Sequence, residues 1–197
     1  MYYITKAMVE RNANTAKKTA YINDNLHKFV WGMFPDGLQK MPSVIYRIKN
    51  KVHKNSLAIY VVSSIPTKRT EDFFSSFQIK EFNPSFVDGI YLRFDLLANP
   101  VISMPRSNRR TAILDQEKQI EWIKKQGVNN GFSIKELAIG PYEKKMIKKG
   151  SKAFPVFSVP FSGILRVEDS VKFKNAVENG IGREKAYGMG MLMVSKI

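Results

Sequence analysis

The 197-residue chain contains no cysteine and only two histidines. Without cysteine there is no disulfide scaffold, no thiolate metal ligand and no cysteine nucleophile. Two histidines are too few for a histidine-rich metal site. These counts argue against a metal site built from cysteine or histidine, and we expect no cofactor.

Long apolar segments are also absent from the sequence. No window approaches the roughly 18 consecutive apolar residues of a membrane helix. The N-terminus, MYYITKAMVERN, carries charges where a signal peptide keeps its apolar stretch. We therefore expect a cytoplasmic protein. A repeat with a period of about 20–50 residues is missing too, which argues against a solenoid.

Basic side chains are in large excess. The chain has 32 Lys and Arg against 17 Asp and Glu, a formal net charge of +15, and 44% of its residues are hydrophobic. That apolar fraction is enough for a folded core. The charge favours a nucleic-acid partner over a surface charged only for solubility, and an anionic membrane surface is a weaker third reading. The excess is densest over residues 106–152, where 12 basic and 5 acidic side chains leave a net charge of +7.

The order of predicted elements is similar in the two halves of the chain. Residues 1–88 predict strand, helix, strand, strand, a short helical piece and a fourth strand, and residues 89–197 predict strand, helix, strand, strand, helix, strand. Two tandem ferredoxin-like βαββαβ domains, an α+β fold with antiparallel sheets, are the economical architecture. We place the domain boundary between residues 88 and 89.

Four local signals define the predicted helices. A helix from Asn23 to Phe34 ends at a Pro-Asp-Gly breaker, and Pro66 opens the short helical piece of the first half. In the second half a helix begins at Asp115, and Asp169 is a predicted N-cap, since its carboxylate can accept free backbone N–H groups.

Four glycines lie within eleven residues near the C-terminus. Glycine suits backbone that adopts positive φ or lies against another surface, and Arg183 and Lys185 beside free backbone N–H groups could hold a phosphate. The segment is not a P-loop, because it lacks Gly-x-x-x-x-Gly-Lys-Ser/Thr and precedes a strand. Phosphate binding and a tight connection between elements both stay open. The glycines are Gly180, Gly182, Gly188 and Gly190.

Four blocks of the sequence stand in a specific order. They are Asn-Leu-His-Lys with Trp31 and Phe-Pro (residues 25–35), Tyr-Leu-Arg-Phe to Ala-Asn-Pro (91–100), Arg110 with Gln-Ile-Glu-Trp-Ile and Gly-Phe (110–132), and Phe-Ser-Gly-Ile-Leu-Arg-Val to Gly-Met-Gly-Met-Leu (161–192). Together they resemble the CasE family, the CRISPR RNA-processing endoribonucleases of the Cascade complex within the RAMP superfamily. The resemblance covers nearly the whole chain, and its Gly-Ile-Gly…Lys-Ala…Gly-x-Gly block is the most specific part.

The resemblance implies a function as well as the tandem ferredoxin-like fold. It implies a metal-independent endoribonuclease that cuts CRISPR precursor RNA at the 3′ base of the repeat stem-loop, leaving 2′,3′-cyclic phosphate and 5′-OH ends. It further implies that the protein stays bound to the mature crRNA, beside other Cascade subunits and without a membrane. Two departures keep open a non-catalytic crRNA-binding scaffold of the same superfamily: Asp24 replaces a frequent tyrosine, and Glu184 replaces a small residue. A third departure is Leu97, where the family has an arginine.

The resemblance makes His27 the candidate catalytic residue. An imidazole titrates near neutral pH, so it can act as the base for the attacking 2′-OH or the acid for the departing 5′-oxygen. Asp24 is predicted to reach the imidazole from the preceding helical turn and to orient it, or else only to interact with the helix dipole. Tyr21 is a weaker substitute for the missing tyrosine. Without the resemblance, a histidine packed on a helix face is the plainer reading.

Charge and resemblance together give a set of candidate RNA-binding residues. The lysines between residues 144 and 152 are predicted to form a loop or hairpin tip that suits the phosphate-lined face of an RNA stem. The arginines between residues 106 and 110 could add bidentate phosphate or guanine contacts. His53 reads as part of a surface turn. The candidates are Lys28, Arg106, Arg109, Arg110, Lys144, Lys145, Lys148, Lys149, Lys152, Arg183 and Lys185.

Overall fold

The structure, a computed structural model, describes residues 1–51, 55–103, 110–149 and 152–197. Among the predicted sites, Arg106, Arg109 and His53 lie outside the described residues, as do the side chains of three lysines at positions 148, 149 and 152. By contacts within the chain there are two compact units. The first unit is Met1–Pro84 with Lys185–Gly188, and the second unit is Ser85–Glu184 with Met189–Ile197. The domain boundary at residues 88 and 89 stays a prediction.

The first unit is built around a four-stranded antiparallel sheet. Its strands lie in the order β2-β3-β1-β4, which is that of a ferredoxin-like unit. Its elements in chain order are β1 (Tyr2–Glu10), α1 (Ala16–Asp24), α2 (Leu26–Trp31), β2 (Val44–Lys51), β3 (Ser56–Ser63), β4 (Ser76–Phe82) and a 3-10 turn (Lys185–Tyr187).

One face of this sheet carries the core of the first unit. Alternation along β1 and β3 places Ala7, Val9, Leu57, Ile59 and Val61 on the same face, where all five are fully buried. The two helices contribute apolar side chains to the same cluster. Each large apolar side chain buried in this way contributes about 1.5–3 kcal/mol, so the helices are held mainly by packing. The helix residues in the cluster are Ile22, Phe29 and Val30.

The helical region after β1 consists of two helices, where the sequence predicted one from Asn23 to Phe34. Asn25 separates them, because its backbone has φ −122° and ψ 32°, outside the helical range. Its backbone N–H and its side-chain Nδ2 both donate to the carbonyl of Tyr21, at 2.8 and 3.2 Å, and together they cap the end of α1. Asp24 and His27 therefore lie on different helices.

No helix connects β3 to β4. Every residue from 64 to 75 is described and none is helical, so the helical piece predicted from Pro66 does not form. Aromatic packing takes its place: Phe74 is buried, with its ring centroid 6.0 Å from that of Phe29. The Nζ of Lys18 lies 4.6 Å from the ring centroid of Phe73. The aromatic side chains fill this connection without regular backbone structure.

The second unit repeats the strand order of the first. Its sheet has the order β11-β5-β10-β8, all antiparallel. The first half of the 16-residue β10 pairs with β9, and its second half pairs with β5 and β8. The elements are β5 (Tyr91–Ala98), β6 (Val101–Ser103), β7 (Arg110–Ala112), α3 (Gln116–Asn129), β8 (Phe132–Ile139), β9 (Glu143–Lys149), β10 (Lys152–Val167), α4 (Ser170–Asn179) and β11 (Leu192–Lys196). The predicted α+β fold of tandem ferredoxin-like units with antiparallel sheets is confirmed.

Both helices of the second unit begin at the predicted aspartates. The carboxylate of Asp115 accepts from the backbone N–H of Lys118 at 2.9 Å, and that of Asp169 accepts from Lys172 at 3.0 Å. Each bond satisfies one of the free N–H groups of a first helical turn. Within the described part of the chain, no helix has the length and apolarity needed to span a membrane.

Candidate functional site

His27 is the second residue of α2 and its side chain is exposed. The helix is only six residues long and has no side-chain N-cap, so it depends on packing for its stability. Phe29 and Val30 provide that packing on the buried side of α2. The arrangement leaves the imidazole of His27 accessible to a substrate.

Three aromatic side chains of the first unit lie next to the His27 imidazole. Its Nδ1 is 3.4 Å from the hydroxyl oxygen of Tyr46, which comes from β2. Its ring centroid is 5.9 Å from that of Trp31, edge-on, and 6.3 Å from that of Tyr187 in the 3-10 turn. Trp31 was within the block that resembles the histidine helix, whereas the contacts of Tyr46 and Tyr187 come from distant parts of the sequence.

Tyr46 connects the histidine to the 3-10 turn. Its side chain is 1% exposed, and its hydroxyl donates a hydrogen bond to the backbone carbonyl of Ala186. Burial raises the pKa of Tyr46 well above its usual value, and the neighbouring Tyr187 raises it further. The phenol therefore remains neutral throughout the physiological pH range.

The glycine-rich segment approaches the histidine helix at one position. Gly188 has φ 82°, and a Cβ atom there would stand 3.0 Å from Cδ2 of Leu26 and 3.6 Å from the ring of Tyr46. A residue with a side chain would be strained in that backbone conformation and would press on α2. At Gly188 the structure thus shows the packing role of glycine. Phosphate binding by Gly180, Gly182 and Gly190, which also have positive φ, stays a prediction.

Two charged residues lie at the start of the 3-10 turn. Lys185 begins it and is half-buried, and this burial lowers the pKa of its ammonium group. Glu184 precedes it with φ 59°, a left-handed conformation that is uncommon outside glycine. The half-buried cation lies two residues before Tyr187, in the same unit as His27.

The two other predicted catalytic residues do not contact the histidine. Asp24 is the last residue of α1, and Tyr21 lies in α1 with its side chain 46% exposed. No hydrogen bond, ion pair or ring contact joins either of them to His27, and all three side chains belong to the described part of the chain. Their catalytic roles stay predictions.

The predicted basic loop is a β-hairpin formed by β9 and the first half of β10. The candidate lysines from 144 to 149 lie in β9, and Lys152 begins β10, so the positive charge follows the strands. Lys144 is exposed, with its Nζ 5.9 Å from the ring centroid of its cross-strand partner Phe157. Lys145 is exposed too, although its cross-strand partner Val156 is buried.

The other predicted RNA-binding residues lie on different elements. Arg110 begins β7 and is exposed, Lys28 is exposed on α2 beside His27, and Arg183 is exposed before the 3-10 turn. Among the residues that the structure describes, no group of three or more histidine, aspartate or glutamate side chains is arranged to hold a metal ion.

Sequence reasoning missed Tyr46 and Tyr187. Tyr187 stood inside the glycine-rich block, and its aromatic ring next to basic residues was an available signal. Tyr46 is 19 residues from His27 and 140 residues from Ala186, and lies in an otherwise ordinary strand pattern. Its role appears only when β2, α2 and the 3-10 turn are seen together.

Comparisons with known proteins agree on one family. The profile of a family described as CRISPR associated protein matches residues 2–196. The chain is 28% identical over 137 residues to the CRISPR-associated endoribonuclease Cse3 of Thermus thermophilus, a match that spans 64% of this chain and 65%, just under two thirds, of that relative. It is 20% identical to the CRISPR system Cascade subunit CasE of Escherichia coli K12, over 99% of this chain and all of the relative.

The fold is also that of a solved structure. A structure of CRISPR endoribonuclease Cse3 bound to a 19-nucleotide RNA superposes with a TM-score of 0.85 at 21% identity, over 98% of this chain and 99% of the other. At this level of identity the superposition shows that the two chains share a fold.

Proposed function

Because the chain belongs to the family of CRISPR-associated proteins, and its resemblance to CasE is confirmed, we propose that it is an endoribonuclease that processes CRISPR precursor RNA. The names of its relatives Cse3 and CasE and the RNA bound to Cse3 support this function. The observation that carries it is the exposed His27 imidazole between Tyr46 and Tyr187.

The reaction that suits this site is transesterification within the RNA. The 2′-oxygen loses its proton to a base and forms a bond to the adjacent phosphorus, while the bond from phosphorus to the 5′-oxygen breaks and that oxygen takes a proton from an acid. The products are a 2′,3′-cyclic phosphate and a 5′-OH end. His27 performs one of the two proton transfers, a contribution of about 10²–10⁴-fold, and the hydroxyl of Tyr187 is the candidate for the other.

RNA binding follows from charge and from the hairpin of the second unit. We assign phosphate contacts to the exposed Lys144 and Lys145 of β9, whose charges give affinity without reading sequence. The substrate is a repeat stem-loop cut at its 3′ base, and the protein remains on the mature crRNA with other Cascade subunits. Lys28 and Lys185, close in sequence to His27 and Tyr187, are the candidates for contact with the scissile phosphate.

The test is cleavage of a labelled cognate repeat hairpin in the presence of EDTA. Wild-type protein is compared with His27→Ala, and with His53→Ala as the control that removes the other histidine. We expect cleavage by wild type and His53→Ala, and binding without cleavage by His27→Ala. Mapping the ends for a cyclic phosphate checks the chemistry. Cleavage that needs a divalent metal, or survives in His27→Ala, would contradict the proposal.

A non-catalytic crRNA scaffold is the second candidate. It is favoured by Asp24, which replaces a frequent tyrosine of the family and makes no contact with His27 among the described side chains. In that case both wild type and His27→Ala would bind the hairpin with equal affinity and neither would cut it.

A further inference from the structure

We propose that Tyr46 is a positioning residue that holds His27 in the tautomer with its proton on Nδ1, so that Nε2 is the nitrogen that exchanges a proton with the RNA. The inference concerns the catalytic histidine and therefore rests on the proposed function. It assigns a role to a buried hydroxyl in β2 and to the short turn at Lys185–Tyr187.

The direction of the hydrogen bonds follows from the number of protons available. A tyrosine hydroxyl has one proton and two acceptor lone pairs. That proton is given to the carbonyl of Ala186, which can only accept. The hydroxyl oxygen can then only accept from Nδ1 of His27, 3.4 Å away. In neutral imidazole one nitrogen carries the proton and the other accepts, so Nε2 is left with the free lone pair.

The phenol is fixed in this orientation from two sides. Tyr46 is buried within β2 and is a member of the core cluster of the first unit. Its partner Ala186 lies in the 3-10 turn, two residues before Gly188, where the missing side chain lets the backbone pack on Leu26 and on the ring of Tyr46. Burial keeps the pKa of Tyr46 above its usual value, so the hydroxyl retains the proton that Ala186 accepts.

The arrangement selects one nitrogen for chemistry. If the proton were on Nε2, the base facing the substrate would lack its lone pair and the reaction would need a tautomer exchange first. With Nδ1 directed to Tyr46, Nε2 can remove the 2′-OH proton, and in the imidazolium form the same Nε2–H can protonate the 5′-oxygen. Tyr46 thus acts through His27 and touches no reacting atom.

The first measurement is the tautomer of His27 in the free protein. Histidine is labelled with ¹⁵N, and the two ring nitrogens are distinguished by their ¹⁵N shifts above the titration range, with His27→Ala used to assign the signals. We expect Nδ1–H in wild type and a shift toward Nε2–H in Tyr46→Phe. The matched control is Tyr60→Phe, which removes a hydroxyl from the opposite face of the same sheet. A wild-type His27 found mainly as Nε2–H would overturn the proposal without any variant.

The second measurement is single-turnover cleavage. We expect Tyr46→Phe to lose about 10–100-fold in rate, the scale of a displaced catalytic group, with RNA affinity unchanged and Tyr60→Phe equal to wild type. An unchanged rate, or a loss explained by unfolding with the Nδ1–H tautomer retained in the folded fraction, would overturn the positioning role. Failure of the proposed function has a separate signature, because wild type would then cut no RNA whatever its tautomer.

Discussion

In the second unit, each helix begins at an aspartate that accepts a backbone N–H group, and the helices have 14 and 10 residues. In the first unit the helices have nine and six residues, neither has a side-chain N-cap, and no helix joins β3 to β4. Two units with the same strand order are therefore stabilised in different ways. Local sequence signals define the second unit, whereas the first depends on its core and on a segment from far along the chain.

The difference matters because the candidate catalytic histidine lies in the less regular unit. A short helix without caps can be placed by its packing, and α2 is placed by two of its own residues, Phe29 in the core and Leu26 against Gly188. Such sites commonly depart from the rules that local sequence obeys. Four predictions test this contrast, in order of decreasing effect.

Removing the packing under α2 should have the largest effect. Phe29→Ala deletes a buried aromatic side chain and should lower the free energy of unfolding by about 3–5 kcal/mol. In the second unit, Ile123→Ala deletes a fully buried side chain of α3 at a cost of about 2–5 kcal/mol. Urea denaturation measures both, and cleavage is assayed in conditions where each variant is folded.

The two variants should differ in the rate of RNA cleavage that each retains when folded. We expect Phe29→Ala to lose cleavage even when folded, because α2 has no cap to hold it, and Ile123→Ala to cut RNA at the wild-type rate per folded molecule. Equal loss of activity in both variants would show that α2 does not depend on local packing more than α3 does.

Adding one methyl group at Gly188 should have a smaller effect. Gly188→Ala places a side chain at φ 82°, 3.0 Å from Leu26, and should cost about 1–3 kcal/mol and reduce the cleavage rate by displacing α2. Gly37→Ala is the control, since it has φ 73° but nothing within 4 Å of the added atom. Thermal unfolding and single-turnover rates separate backbone strain from the contact. If Gly188→Ala and Gly37→Ala cleave RNA at the same rate, the contact with Leu26 has no role in placing α2.

Removing a helix cap from the second unit should lower the free energy of unfolding by less than the two changes above. Asp115→Ala loses the 2.9 Å bond to the N–H of Lys118, which is worth about 1 kcal/mol. We expect a lower urea midpoint with cleavage unchanged, because the cap supports α3 and no residue of the site. A larger loss, or a loss of cleavage, would mean that α3 relies on its cap for more than its first turn.

The smallest expected effect is a pH dependence of RNA affinity that comes from Lys185. Burial lowers the pKa of Lys185, so its positive charge is lost at a lower pH than that of an exposed lysine. RNA affinity should therefore weaken as pH rises, and Lys185→Arg should remove that part of the decline because arginine stays charged. Binding of an RNA with a 2′-deoxy cut site, measured from neutral pH to about pH 9.5, tests this against Lys28→Arg. Identical pH dependence in wild type and Lys185→Arg would contradict it.

The sequence was most informative where signals are local. The helix start at Asp115, the N-cap at Asp169 and the fourth strand of the first unit, predicted near Phe77, are all present because short-range hydrogen bonds and alternation determine them. The helix around His27 was drawn as one piece, since nothing in the spacing shows that Asn25 leaves the helical conformation. The sequence predicts the basic lysines at a loop or hairpin tip, whereas they lie in the strands of the hairpin, because consecutive lysines conceal the alternation of β9.

The candidate site was predictable only in part. His27 could be singled out by its resemblance to a family motif, and its aromatic neighbour Trp31 by helical spacing. Tyr46 could not, because a tyrosine in a strand has many ordinary roles and its partner Ala186 is 140 residues away. Contacts across such separations depend on the whole fold.

The separation of Tyr46 from Ala186 has a consequence for the order of events during synthesis. A ribosome adds about 5–20 residues per second, so the 140 residues between the two partners take roughly 7–30 seconds to make. Throughout that interval the N-terminal strands and helices are already available to fold, but the turn that accepts the tyrosine hydroxyl does not yet exist. On the proposed role of Tyr46, a nascent chain would therefore lack an oriented histidine until the segment around Ala186 has been synthesised.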